Sequence, residues 1–112
     1  MAGPGGAVLV VRVPVELSIA TAESVRSCVE RRLPNRHDGG VVLDLADTEL
    51  ITSVGVTALL QIEELAAAAG VSLRLAGLGG AARRVLVMLA LADRFMQSPD
   101  AEDAVASIAN AR

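Results

Sequence analysis

Two adjacent hydroxyls, Thr52 and Ser53, stand where a buried-strand pattern gives way to a helix pattern. The strand is Val41-Val42-Leu43-Asp44-Leu45, a polar turn follows, and the run Leu50-Ile51-Thr52-Ser53-Val54-Gly55-Val56 leads into the longest helical stretch of the chain. A hydroxyl at a helix start can accept a hydrogen bond from a first-turn N–H and cap the helix. It can equally receive a phosphate, because the free N–H groups and the positive end of the helix dipole favour negative charge there. The residue types leave both uses open.

Little else in the chain could do chemistry. His37 lies in a polar loop with no second histidine and no nearby cysteine, short of the three or four donors a metal needs. Gly77-Leu78-Gly79-Gly80 lacks the Lys-Ser/Thr ending of a phosphate loop and the spacing of a dinucleotide fingerprint, and reads as a turn. Nothing ties His37 to a particular serine, so no Ser-His-Asp arrangement can be built. Asp100, Glu102 and Asp103 share one helical first turn, which suits the helix dipole rather than acid–base catalysis. Cys28, the only cysteine, falls within a predicted helix as a small apolar side chain. No catalytic residue, metal site or cofactor is expected.

The elements that position Thr52 and Ser53 follow from periodicity. Ala7–Val13 is a β-branched apolar run and reads as a strand, with Val15-Glu16-Leu17 a turn or brief second strand. Thr21 is the expected cap of a helix whose Ala22, Val25, Val29 and Leu33 recur at three- and four-residue steps until Pro34. A helix over Ser53–Ala69 ends at Gly70, a strand spans Val71–Ala76, and Ala81–Ala90 is helical with Val85, Leu86 and Leu89 inward. Phe95-Met96 suggests an edge strand. Ser98-Pro99-Asp100 has the composition of a helix start, for a last helix over Pro99–Asn110 with Ala101, Val105 and Ile108 inward. Strands alternating with helices imply an α/β layer structure with helical crossovers between parallel strands. Residues 1–6 are Gly/Pro-rich and expected to be a flexible N-terminus, with residues 7–112 a single domain.

On the central helix, Ser53, Thr57, Gln61 and Glu64 fall on one stripe at about 100° per residue. Gly55, Val56, Leu59, Ile62 and Ala66 occupy the opposite side and should face the sheet. Val54, Ala58 and Leu65 flank the polar stripe, a mixture of apolar and polar groups that suits protein docking.

Composition narrows the partners. A net charge of −3 argues against duplex binding, and Phe95 as the lone aromatic removes the stacking platforms of single-strand binders. With 53% hydrophobic residues the chain is not disordered as a whole, yet its apolar runs fall far short of the roughly 20 residues that span a bilayer. The first residues lack a signal-peptide pattern, so a cytoplasmic chain without membrane insertion is expected.

At this point the sequence resembles the STAS domains of bacterial anti-sigma factor antagonists. Glu16-Leu17-Ser18-Ile19-Ala20-Thr21 looks like the family's segment before the first helix, and Val41-Val42-Leu43-Asp44-Leu45 like the strand entering the regulatory turn. Leu50-Ile51-Thr52-Ser53-Val54-Gly55-Val56 stands where the family carries an Asp-Ser-Ser-Gly-type motif. Ala82-Arg83-Arg84-Val85-Leu86 and Leu91-Ala92-Asp93-Arg94-Phe95 match the later helix and the run into the last strand. The resemblance implies a mixed four- to five-stranded sheet with about four helices packed mainly on one side.

It also implies partner switching: the antagonist binds an anti-sigma factor that is a GHKL-type serine kinase, is phosphorylated by it, and is restored by a phosphatase. Aligned on Gly55, the family's acidic position is Thr52 and its usual phosphoserine position is Val54, leaving Ser53, and after it Thr52, as acceptor. Val15 and Ser18 stand where the family often has Gly and Asp. Ser18, Thr52, Ser53, Val54, Gly55, Thr57, Ala58, Gln61 and Leu65 are the expected partner-binding residues, and the same face leaves a homodimer open. Two other readings remain: a non-phosphorylated scaffold or accessory subunit of a membrane transporter complex, and an enzyme or small-ligand binder, which no catalytic constellation supports.

Overall fold

The computed structural model describes residues 7–33 and 39–110. In chain order these form β1 (Val8–Arg12), β2 (Glu16–Leu17), α1 (Ala22–Arg32), β3 (Gly40–Asp44), β4 (Leu50–Ile51), α2 (Ser53–Ala69), β5 (Ser72–Ala76), α3 (Gly80–Met88), a 3₁₀ turn (Ala92–Arg94), β6 (Met96–Ser98) and α4 (Ala101–Asn110). The expected frayed segment 1–6 and the loop holding His37 lie outside the described residues.

The main sheet runs β1-β3-β5-β6, and β2 and β4 form a separate two-stranded ladder. Every described pairing is parallel. The implied mixture of strand directions is absent among the described residues because α1, α2 and α3 each return the chain to the same end of the sheet.

Side-chain alternation divides the core in two. Leu9, Val11, Val41, Leu43 and Leu75 point to one face and pack with Val25 and Val29 of α1, Leu59 and Ile62 of α2, and Ala82 and Leu86 of α3. Val42 and Ala76 point to the other face, where Ala104 and Ile108 of α4 cover them. Three helices therefore lie on one side and one on the other. A fully buried Leu or Ile contributes about 1.5–3 kcal/mol, so the first face carries most of the stabilisation.

Helix α2 has the predicted bounds. Gly55, Val56, Leu59, Ile62 and Ala66 are buried, and Ser53, Thr57, Gln61 and Glu64 are exposed, as the 3.6-residue period requires. It stops at Gly70, whose left-handed φ of 72° lets its N–H reach the carbonyls of Ala66 and Ala67.

Four local expectations are corrected. Leu50-Ile51, expected only to lead into the helix, forms strand β4, too short to announce itself by alternation. Thr21 precedes α1, yet its hydroxyl makes no cap bond to that helix; it accepts from Ser18 N–H at 3.1 Å and donates to the Glu16 carbonyl at 2.6 Å, pinning the β2–α1 turn. Leu89 is exposed, because α3 ends at Met88 and the chain turns through Ala90 at φ 59°. Ser98 belongs to β6 and accepts from Arg74 at 3.3 Å, so the last helix starts later, with Asp100 Oδ1 accepting from Asp103 N–H at 2.7 Å. Ala104 and Ile108 are its buried residues, while Ala101 and Val105 are half-buried.

Candidate functional site

The β2–β4 ladder seats the first turn of α2. Thr52 N–H donates to the Leu17 carbonyl at 3.0 Å, extending the Leu17–Ile51 pairing by one residue into the helix. Gly55 then passes directly over Leu17: a Cβ at position 55 would lie 2.1 Å from the Leu17 carbonyl oxygen. Only glycine permits that approach, which fixes the height of the helix start above the ladder.

The two candidate hydroxyls are used differently. Thr52 Oγ1 accepts from Gly55 N–H at 3.4 Å and donates to the Leu17 carbonyl at 3.4 Å, and Thr52 is half-buried. It is the N-cap, in extended geometry, with long bonds. The Ser53 side chain is exposed and its hydroxyl has no hydrogen-bond partner among the described residues. Its carbonyl accepts from the Thr57 hydroxyl at 3.1 Å, one turn on. The first turn of α2 contains no acidic residue, so its N–H dipoles are not neutralised from within the helix.

Two apolar side chains are exposed near this helix start. Val54 is 42% exposed and Ile19, at the β2–α1 turn, is 82% exposed. These two line a shallow groove of about 260 Å³ between α1 and α2, with Ala22, Glu23, Arg26, Thr57, Ala58 and Gln61 as its remaining walls. Arg26 is held on both sides, by Glu23 at 2.6 Å and Glu30 at 3.0 Å. The hydrogen bond from Arg26, then that from Ser27, lowers the Glu23 carboxyl from its ordinary value, and the Glu23 and Glu30 bonds raise Arg26. The cation of the groove is thus already engaged.

Of the residues singled out in the sequence, Ser53, Val54, Thr57 and Gln61 share the exposed face, with Leu65 half-buried further along the helix. Ser18, Gly55 and Ala58 are buried. The Ser18 carbonyl receives Thr21 and Ala22 N–H at the start of α1, and Ala58 lies at the floor of the α1–α2 contact. These three lie beneath the exposed face, with Ala58 also lining the groove. The helical wheel placed Ala58 at the surface because it carries no information about α1 lying alongside.

Ile19 and Leu50, exposed and apolar, were not among the expected partner-binding residues, and Val15, noted only as standing where the family often has Gly, is exposed as well. Leu50 had a signal: in a two-residue strand Leu50-Ile51, one of the two apolar side chains must face out. Ile19 had none, since its exposure depends on the turn that Thr21 pins.

Among the described residues no group of three His, Cys, Asp or Glu side chains could hold a metal, and no helix is long and apolar enough to cross a membrane.

Comparison with known proteins agrees with this architecture. The STAS domain family model matches residues 2–106, and the chain belongs to that family. No curated protein sequence matches it significantly. Among solved structures it is similar to TM1081 of Thermotoga maritima, proposed to be an anti-sigma factor antagonist, with TM-score 0.78 and 19% identity over 96% of this chain and 91% of that one. It is similar to the anti-sigma factor antagonist SpoIIAA in its unphosphorylated form, with TM-score 0.73 and 21% identity over 93% and 90% of the two chains. A sulfate transporter family protein from Wolinella succinogenes has the same fold, with TM-score 0.76 and 15% identity over 96% and 88%.

Proposed function

We propose that this STAS domain is a non-catalytic anti-sigma factor antagonist that binds a GHKL-type anti-sigma kinase through the face around Ser53 and is released by phosphorylation of Ser53. The observation that carries this reading is the contrast between the two hydroxyls: Thr52 is engaged as the cap, while Ser53 is exposed and without a partner among the described residues. A phosphate there adds about −1.5 to −2 charge one residue from the exposed Val54 of the groove. Burying that charge against an apolar partner surface is costly without a dedicated cation. In the free protein the phosphate sits at a helix N-terminus, where it is tolerated.

The test is incubation with each purified GHKL-type anti-sigma kinase encoded in the same genome, with labelled ATP. Labelling of wild type and none of Ser53→Ala supports the reading. Persistent labelling of Ser53→Ala moves the acceptor to Thr52, and no binding by any such kinase overturns the reading. The exposed Val54 favours one alternative, a constitutive scaffold or transporter accessory subunit, for which binding is independent of kinase and ATP.

A further inference from the structure

The face carrying Ser53 continues beyond the helix, and its charge is one-sided. Glu16 and Leu50 are register partners in the β2–β4 ladder and both point outward. The Glu49 and Leu50 N–H groups both donate to the Val15 carbonyl, at 2.7 and 3.2 Å, which places exposed Val15 beside them. Leu17 and Thr52 then join the ladder to the Ile19–Val54 groove. The ladder and the groove are thus tied together through the backbone, with Val15, Leu50, Ile19 and Val54 exposed along them and exposed carboxylates at Glu16 and Glu49.

Neither Glu16 nor Glu49 has an ion-pair partner among the described residues. The segments that build this face have almost no cations to offer. The chain has no lysine; no arginine falls between Arg12 and Arg26 or between Arg36 and Arg74, whereas the latter stretch carries Asp38, Asp44, Asp47, Glu49, Glu63 and Glu64. Arg26, the one cation lining the groove, is taken by Glu23 and Glu30.

We infer that the partner docking on this face presents an apolar centre flanked by arginine or lysine side chains that meet Glu16 and Glu49. This names the partner chemistry of the docking face proposed above and rests on that reading. Complementary rim charges steer encounter and select partners, while the apolar centre supplies the contact. A second copy of this chain fits poorly, because a two-fold pairing through this face would set the same carboxylates against each other. An anionic lipid surface is repelled for the same reason. Phosphorylation acts at a different place: Ser53 lies beside Val54 in the apolar part, where charge is expelled rather than paired.

The experiment measures association and dissociation rates with the anti-sigma kinase that binds, for wild type, Glu16→Gln/Glu49→Gln and, as control on the opposite helix, Glu102→Gln. Between about 50 and 500 mM NaCl the wild-type association rate should fall roughly tenfold, with dissociation changing less than about twofold. The double variant should associate roughly 3- to 10-fold more slowly at low salt and lose most of the salt dependence, and the control should match wild type. Intact binding with unchanged association rate and salt dependence in the double variant overturns the inference.

If no kinase binds, the docking reading fails by itself, and the surface chemistry is decided by amide NMR titration with two synthetic helical peptides, one of Leu and Arg and one of Leu and Glu. Shifts at residues 15–19 and 49–54 with the Arg peptide alone support the inference. Equal shifts with both peptides, or none, overturn it.

Discussion

Gly55 rides on Leu17. The missing side chain at 55 lets the first turn of α2 settle against the carbonyl oxygen of Leu17, where a Cβ would stand only 2.1 Å away. The same carbonyl accepts the Thr52 N–H and hydroxyl, at 3.0 and 3.4 Å. One backbone oxygen of the short ladder therefore fixes the helix start at which Ser53 and Val54 are exposed.

Gly55→Ala should lift the helix start or bend β2, because the obstructing atom is backbone and cannot rotate away. The expected destabilisation is about 1–3 kcal/mol, the usual cost of overpacking, read from urea unfolding. A variant as stable as wild type would show that the close approach is not required.

Thr52→Val removes the cap while keeping the shape of the side chain. The bonds are long at 3.4 Å, so the loss should lie toward the low end of cap energies, about 0.5–1 kcal/mol. Thr52→Ser should retain nearly all of the stability. A loss from Thr52→Ser with none from Thr52→Val would assign the effect to packing of the methyl group instead.

The Glu23–Arg26 pair gives a pH signature. The folded state holds the Glu23 carboxyl below its ordinary value of 4.5, chiefly by the hydrogen bond from Arg26. A depressed folded value means that the pair's stabilisation is present above the unfolded value and is lost as pH falls through the folded one. Urea midpoints of wild type and Glu23→Gln should thus differ slightly near pH 7 and converge in acid, the small size reflecting solvent exposure of the pair. A difference that grows on acidification would contradict the assignment.

Much of this molecule was legible in its sequence where period and punctuation agree. Helix α2 could be bounded at Ser53 and Gly70 because its apolar face repeats over many turns and a glycine ends it. The site was less legible because it depends on tertiary neighbours. Nothing local separates the capping Thr52 from the free Ser53 until the ladder presents the Leu17 carbonyl. Ala58 reads as surface until α1 covers it, and Ser98 reads as a cap until pairing with β5 claims it for the sheet.

The central claim is that Ser53 is the switch of the docking face, and the most direct test is the affinity of the anti-sigma kinase for Ser53-phosphorylated and unphosphorylated protein, with circular dichroism to confirm an unchanged fold. Phosphorylation should weaken binding by about 100-fold or more, equivalent to roughly 2.7 kcal/mol of buried-charge penalty. Ser53→Asp should weaken it in the same direction. Equal affinity of the two forms, with the fold intact in both, would contradict the account and leave Ser53 an exposed residue on a constitutive docking surface.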